Sequence, residues 1–368
     1  MIKTFEVKNL NGKISEKFTF FPDLNVLTGK NGCGKTTLLK LIWYFVSGNL
    51  DKVFDEMYFD FAEMKMVDGT TVTMKVDGEN QEKKIAISIV NLERKLDYHG
   101  NYPLGALDSL PRFQASEGSL FFPTFRRIEG GFTITSNPNH RRGIRRNTLR
   151  EALDTVSENL TTAFNHKFIA SISTEDINYL LSNKYADISE EIRRLEANQS
   201  KTILNIVATS QDKEKESLEL IRNIVKENDA KRNDILRPFN VLSSLVNKIF
   251  KDKSIKISNN LELGESTTGE STLGNTKEAI FSDKLSAGEK QMLSFLCYNF
   301  FYDNSVIFID EPELSLHTDW QRVLFPTLLK QRKHNQFIIA THSPFIYSKY
   351  IENEIIISED KGNENVEK

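Results

Sequence analysis

Nine consecutive residues, Gly29-Lys30-Asn31-Gly32-Cys33-Gly34-Lys35-Thr36-Thr37, fit the pattern G-x-x-x-x-G-K-[ST]. Glycines at such spacing let backbone N–H groups wrap a phosphate. Lys35 is then suited to reach the terminal phosphates of a nucleoside triphosphate, and Thr36 offers a hydroxyl to Mg²⁺. Cys33 occupies a variable slot, where a small filler is a simpler reading than redox chemistry. A second constellation, SVIFIDEPE, is a run of apolar residues closing on acids. Asp310 at the end of a buried strand would hold Mg²⁺, and Glu311 would polarise an attacking water as general base. In isolation that segment equally describes a strand ending in a solvated acidic turn. The phosphate loop in the same chain favours the chemistry.

Two further groups lie in the last hundred residues. Ser286-Ala287-Gly288-Glu289 opens the helix-like stretch MLSFLCYNFF, with Ser286 as cap and Gly288 permitting close backbone approach. Alone, this is a capped helix start and a generic anion site. His342 follows the apolar run QFIIAT, which puts it at the carboxyl edge of a sheet, where ligands bind in α/β folds.

The elements that must carry these residues are legible as pattern. IKTFEVKNL and KISEKFTFF alternate as strands, LNVLT is a short buried strand ending at the phosphate loop, and TTLLKLIWYFV reads as the helix after it. TTVTMKV and KKIAISIV flank a polar turn as an antiparallel hairpin, and SLFFPTF is a buried strand cut short by Pro123. From Leu149 to Phe250 the apolar spacing turns to threes and fours, which predicts a helical hairpin with arms of about 25 residues, some 40 Å long. SIKISNNLEL resumes strand character. GESTTGESTLGNTKE reads as a loop, and EIIIS as a final strand.

Composition bounds the setting. Of 368 residues, 39% are hydrophobic, 27% are charged and 25 are Phe, which supports a sizeable core and excludes a disordered chain. The net charge of −3 supplies no overall field for nucleic acid or anionic membrane, so any such contact must be local. Two cysteines exclude a disulfide framework and a Cys-rich zinc module. Neither a signal peptide nor a bilayer-spanning run is apparent, so a cytoplasmic protein with no membrane partner is expected. Residues 126–150 hold seven arginines against one acid, Glu129. Arg126, Arg127, Arg141, Arg142, Arg145 and Arg146 could thus form a phosphate or nucleic-acid surface, or simply a solvated basic loop.

Taken together, GKNGCGKTT, LSAGEKQ, IDEPE and ATHSP, in that order and at these spacings, resemble the motif set of ABC-type ATPases. The closest branch is the soluble one of RecF, SMC and OLD-like proteins. The resemblance covers residues 1–50 and 280–345 well and the middle loosely. It implies an α/β P-loop NTPase fold, an ABC-ATPase-like head with a mixed β-sheet and an inserted helical, short coiled-coil subdomain. Its divisions would be an N-terminal ATPase lobe (1–148), a helical insertion (149–250) and a C-terminal lobe (251–368). It further implies ATP and Mg²⁺ as cofactors. Two heads, or a higher oligomer, would trap ATP between one subunit's phosphate loop and the other's Ser286–Glu289 signature. His342 would be the switch histidine and Glu313–His317 the D-loop, with no clear role for His317. FFPTFRRIEGG stands where the family has its Q-loop, but lacks the glutamine.

An OLD-type nuclease would carry a metal-binding domain after the head. With 26 residues beyond His342, the expectation is a separate effector, as in two-component antiphage systems of the Septu, PARIS or retron type. The competing expectations are a RecF-like repair ATPase that binds DNA directly, a transporter's nucleotide-binding subunit, and an ATP-binding scaffold.

Overall fold

The computed structural model describes residues 1–77, 84–91, 93–103, 117–124, 126, 155, 160–161, 166–170, 172, 174–209, 214–249, 255–257, 263–265, 286–331 and 334–357. In chain order the strands are β1 (Ile2–Leu10), β2 (Ile14–Thr19), β3 (Leu24–Thr28), β4 (Phe61–Met66), β5 (Thr71–Asp77), β6 (Lys84–Asn91), β7 (Leu96–Pro103), β8 (Ser119–Phe122), β9 (His166–Phe168), β10 (Ile255–Ile257), β11 (Leu263–Glu265), β12 (Val306–Asp310), β13 (Gln336–Ala340) and β14 (Glu354–Ile356). The helices are α1 (Lys35–Ser47), α2 (Val53–Glu56), α3 (Thr174–Thr209), α4 (Glu214–Ile249), α5 (Ala287–Phe301), α6 (Thr318–Lys330) and α7 (Pro344–Tyr347).

Two six-stranded sheets carry the fold. One, in the order β14-β3-β13-β12-β8-β9, is parallel at every pairing. Its central strands are buried along their whole length, as parallel strands covered on both faces must be. The other, β2-β1-β4-β5-β6-β7, is antiparallel throughout. The expected mixture of strand directions is thus a division between sheets. The period-2 alternation of the parallel strands sorts their side chains into two cores. Phe121, Phe308, Ile338 and Ala340 join α1 and the antiparallel sheet. Leu120, Phe122, Ile307, Ile309 and Ile339 face α5, α6 and the roots of α3 and α4.

Helix α1 lies between the two sheets, with Leu38, Leu39, Leu41, Ile42, Trp43 and Phe45 fully buried and Lys40 turned outward to an ion pair with Glu56 at 2.7 Å. It stops at Gly48, whose φ of +76° closes the last turn in the left-handed conformation. Trp43 donates its indole N–H to Ser119 Oγ at 3.1 Å, and Ser119 Oγ is 2.9 Å from His166 Nδ1, so α1, β8 and β9 are tied by side chains as well as by packing. In α6, Pro326 has no N–H for the Arg322 carbonyl one turn back. Lys349 Nζ occupies that carbonyl instead, at 3.1 Å.

Three features differ from the sequence expectation. The arms α3 and α4 are 36 residues each, so each extends about 54 Å rather than 40. Strand β9 belongs to the parallel sheet although it falls within 149–250, a stretch expected to be helical. At three residues it is too short for periodicity to reveal. Strands β4 and β7 complete the antiparallel sheet around the anticipated β5–β6 hairpin. Among the described residues no helix is long and apolar enough to cross a membrane.

Gln336, fully buried at the start of β13, links the two sheets. Its Oε1 accepts from the Ile2 N–H at 2.8 Å, and its Nε2 donates to the carbonyls of Ile2 at 2.8 Å and Phe21 at 2.9 Å. Gln336→Leu strands a buried donor and two acceptors and should cost about 3 kcal/mol in urea-induced unfolding. A loss below about 0.5 kcal/mol would mean that the sheets are held by apolar packing alone.

Candidate active site

The parallel register brings four strand ends to one edge. β3 ends at Thr28 and leads into the glycine loop, β12 ends at Asp310, β13 ends at Ala340 two residues before His342, and β8 leads through Pro123 to Thr124 and Arg126. Asp310 lies opposite Ala340, and Ala340 opposite Leu27. A cavity of about 510 Å³ opens at this edge, lined by Asn31, Lys35, Thr36, Thr37, Asp310, Glu311 and His342.

The loop is shaped by glycine. Gly32 and Gly34 have φ of +77° and +105°, a backbone that side-chain-bearing residues resist, and Gly34 caps the N-terminus of α1. The Lys35 amine lies within the loop's curve, donating to the carbonyls of Gly29 at 2.9 Å and Lys30 at 3.1 Å and standing 3.4 Å from His342 Nδ1. Burial pulls the lysine below its usual range, opposed by the nearby Cys33, Glu311, Asp310 and Glu313. Burial, then the lysine's charge, pulls His342 down as well, which leaves a neutral imidazole able to accept from Lys35.

Thr36 donates its hydroxyl to Asp310 Oδ1 at 3.1 Å, and Thr124 donates to the other carboxylate oxygen. Thr36 and Asp310 therefore present hard oxygen donors side by side at the mouth of a phosphate loop, a donor set that suits Mg²⁺. Glu311 follows in a left-handed turn at φ +48°, its N–H donating to the Ala340 carbonyl at 2.8 Å. Burial, reinforced by Asp310 and Glu313, pushes its carboxyl above the ordinary range and makes it a stronger base.

The signature residues form a complete capping box. Glu289 N–H donates to Ser286 Oγ at 3.4 Å, while Ser286 N–H and its hydroxyl donate to Glu289 Oε2 at 2.7 and 2.8 Å. Ala287 is the first helical residue. A Cβ on Gly288 would stand 2.3 Å from the Ser315 carbonyl oxygen, so the close approach this glycine permits is made within the chain, to the D-loop. His317, without an expected role, caps α6 by accepting from the Asp319 N–H at 3.4 Å.

The structure revises one residue and adds others. Arg126 does not offer its guanidinium to a phosphate or nucleic acid at the surface. It is 6% exposed and donates to the carbonyls of Pro123, Asp310 and Glu311. Burial lowers it to about 10, which leaves it charged at neutral pH. Arg127, Arg141, Arg142, Arg145 and Arg146 lie outside the described residues. Sequence reasoning gave no role to Thr124, nor to Lys13, whose amine donates to the Gly32 carbonyl at 2.9 Å where the β1–β2 turn walls the cavity. It assigned Glu313 only to the D-loop. Glu313 Oε1 accepts from the N–H groups of His342 at 2.8 Å and Ser343 at 3.1 Å and so fixes the histidine's backbone. The acid after Pro312 was the available signal for Glu313, whereas the Lys13 contact spans a turn and leaves no pattern.

Lys35→Ala should abolish binding of a fluorescent ATP analogue, because it removes the one buried cation within the loop's curve. Retained affinity would contradict the phosphate-loop assignment. Gly288→Ala should cost about 1–3 kcal/mol in thermal unfolding through its clash with the Ser315 carbonyl. Native stability would show that the D-loop is free to move aside.

The chain is similar to known proteins. The Vibrio cholerae serotype O1 biovar El Tor protein "Retron Vc95 probable ATPase" is 22% identical over 366 residues, 90% of this chain and 68% of that one. "Endonuclease GajA" of Bacillus cereus (strain VD045) is 40% identical over 63 residues, 16% of this chain and only 11% of its own length. The Smc head domain of Pyrococcus furiosus, with its extended coiled coil bound to the C-terminal domain of ScpA, aligns over 98% of this chain and 94% of that one at 16% identity. Its TM-score is 0.38. The profile of the family described as "AAA domain, putative AbiEii toxin, Type IV TA system" matches residues 24–348, and the chain belongs to that family.

Proposed function

We propose that this chain is a Mg²⁺-dependent ATPase whose heads pair across shared ATP, and that it controls a separate effector protein, nuclease- or toxin-like, in antiviral defence. The observation that carries the ATPase reading is the meeting of Lys35, the Thr36–Asp310 pair, Glu311 and His342 on one cavity. Lys35 and the loop's backbone amides bind the terminal phosphates of ATP. Thr36 and Asp310 would hold Mg²⁺, which would supply positive charge to offset that of the phosphates. Glu311 takes the proton of the attacking water, and His342 contacts the γ-phosphate. Ser286 and Gly288 of a second copy complete the site, bringing the positive end of the α5 dipole toward the phosphates.

The defence role is supported by relatives named for retrons, with the "Retron Ec83 probable ATPase" of Escherichia coli 35% identical over 74 residues. It is also supported by the family's description in terms of a toxin system. The alternative reading, a RecF-like ATPase that binds DNA directly, rests on Arg141, Arg142, Arg145 and Arg146, which lie outside the described residues.

Glu311→Gln should abolish phosphate release and hold the ATP-bound protein as a dimer in size-exclusion chromatography with light scattering. Unaltered phosphate release, or the same monomeric mass with and without ATP, would sink this reading. Affinity isolation of that variant from infected cells should bring down an effector protein, and DNA as the sole companion would favour the repair reading.

A further inference from the structure

Arg126 is a buried charge that the scheme above leaves without a task. Its Nη1 donates to the Pro123 carbonyl at 2.9 Å and the Asp310 carbonyl at 2.7 Å, and its Nη2 donates to the Glu311 carbonyl at 2.9 Å. Its guanidinium carbon stands 5.6 Å from the centroid of the Phe295 ring, on the helix that the signature opens. A charge buried this deeply is costly, and here it is compensated by backbone carbonyls, an aromatic face and the nearby carboxylates of Asp310, Glu313 and Glu311.

The choice of carbonyls matters. The Asp310 carbonyl belongs to the peptide unit before the Glu311 Cα, and the Glu311 carbonyl to the unit after it. Fixing both planes fixes the φ and ψ of Glu311, and with them the direction of its Cα–Cβ bond. That conformation is left-handed, at φ +48°, and for a residue with a side chain it costs about 1 kcal/mol. It persists only where the surroundings over-determine it. Arg126 holds it from one side, and the Glu311 N–H bond to Ala340 holds it from the other.

We propose that Arg126 is a positioning residue that aims the Glu311 carboxylate by clamping the two peptide planes flanking it. The proposal builds on the reading of Glu311 as general base. Lysine reproduces the clamp only in part, because its one nitrogen must replace two, Nη1 on the Asp310 carbonyl and Nη2 on the Glu311 carbonyl, held apart by the planar guanidinium. A residue binding phosphate from this position would act differently, since its loss would weaken nucleotide affinity.

The test compares Arg126→Met and Arg126→Lys with the native chain. Arg126→Met should lower kcat about tenfold or more while the Kd for a fluorescent ATP analogue stays within about threefold, and Arg126→Lys should fall between. Hydrogen exchange should quicken in the peptide covering residues 310–316 and stay unchanged over 29–37. Parallel loss of affinity and turnover would overturn the proposal in favour of a phosphate contact, and native kcat with native exchange would overturn it outright. If Arg126→Met fails to fold, Arg126→Lys decides alone, and native turnover in that variant refutes the clamp. Should the native chain release no phosphate, the general-base reading fails by itself, while exchange over 310–316 still reports whether Arg126 holds the turn.

Discussion

The hydrogen bond from Thr36 to Asp310 joins residues 274 positions apart, and the site exists only because the parallel sheet delivers them to the same edge. β3 and β12 do not touch. They flank β13, and the register across three strands sets the distance between loop and acid. Side-chain period in a strand is two, so a slip of one residue would swap Phe308 and Ile309 between the two cores and carry Asp310 away from Thr36. The packing of Phe308 toward α1 and of Ile307 and Ile309 toward α5 and α6 therefore positions the carboxylate as much as it stabilises the fold.

Charge at this edge is concentrated. Burial, and then the neighbouring Asp310 and Glu313, raise the Glu311 carboxyl against the pull of two buried cations, Lys35 and Arg126. Like charges in a water-poor cleft repel strongly, and an arrangement of this kind persists only if the backbone is held from several directions. The hydrogen bonds do so: Ala340 and Arg126 hold the Glu311 turn, Glu313 holds the His342 turn, and Gln291 donates to the Pro312 carbonyl at 2.8 Å. Through Gln291, and through the close contact of Gly288 with Ser315, the acidic turn is also packed against the helix opened by the signature. Nucleotide loop, acid, histidine and signature form one mechanically continuous unit.

Much of this was legible in the residue order. A fixed chemical pattern marked Gly29–Thr37, an apolar run closing on acids marked Asp310 and Glu311, and Ser286 was read as the cap of the helix that the structure contains. These signals are local, so a linear reading finds them. The role of Arg126 was misread because it opens a stretch, residues 126–150, with seven arginines against one acid. Its partners are carbonyls 184 and 185 residues away, which carry no sequence signature. Strand β9 was missed for the same reason, since three residues paired to β8 owe their conformation to the neighbour rather than to any propensity of their own.

The sequence by itself determined which groups can meet a triphosphate, because glycine, lysine, threonine and acid at set spacings act through backbone geometry and charge within a few residues. Only the tertiary structure decided how those groups face one another: Arg126 turned inward on the Glu311 turn, Glu313 on the histidine's backbone, Lys13 on the cavity wall. Those contacts join distant segments whose approach is set by sheet register and core packing, and no short stretch of residues encodes them.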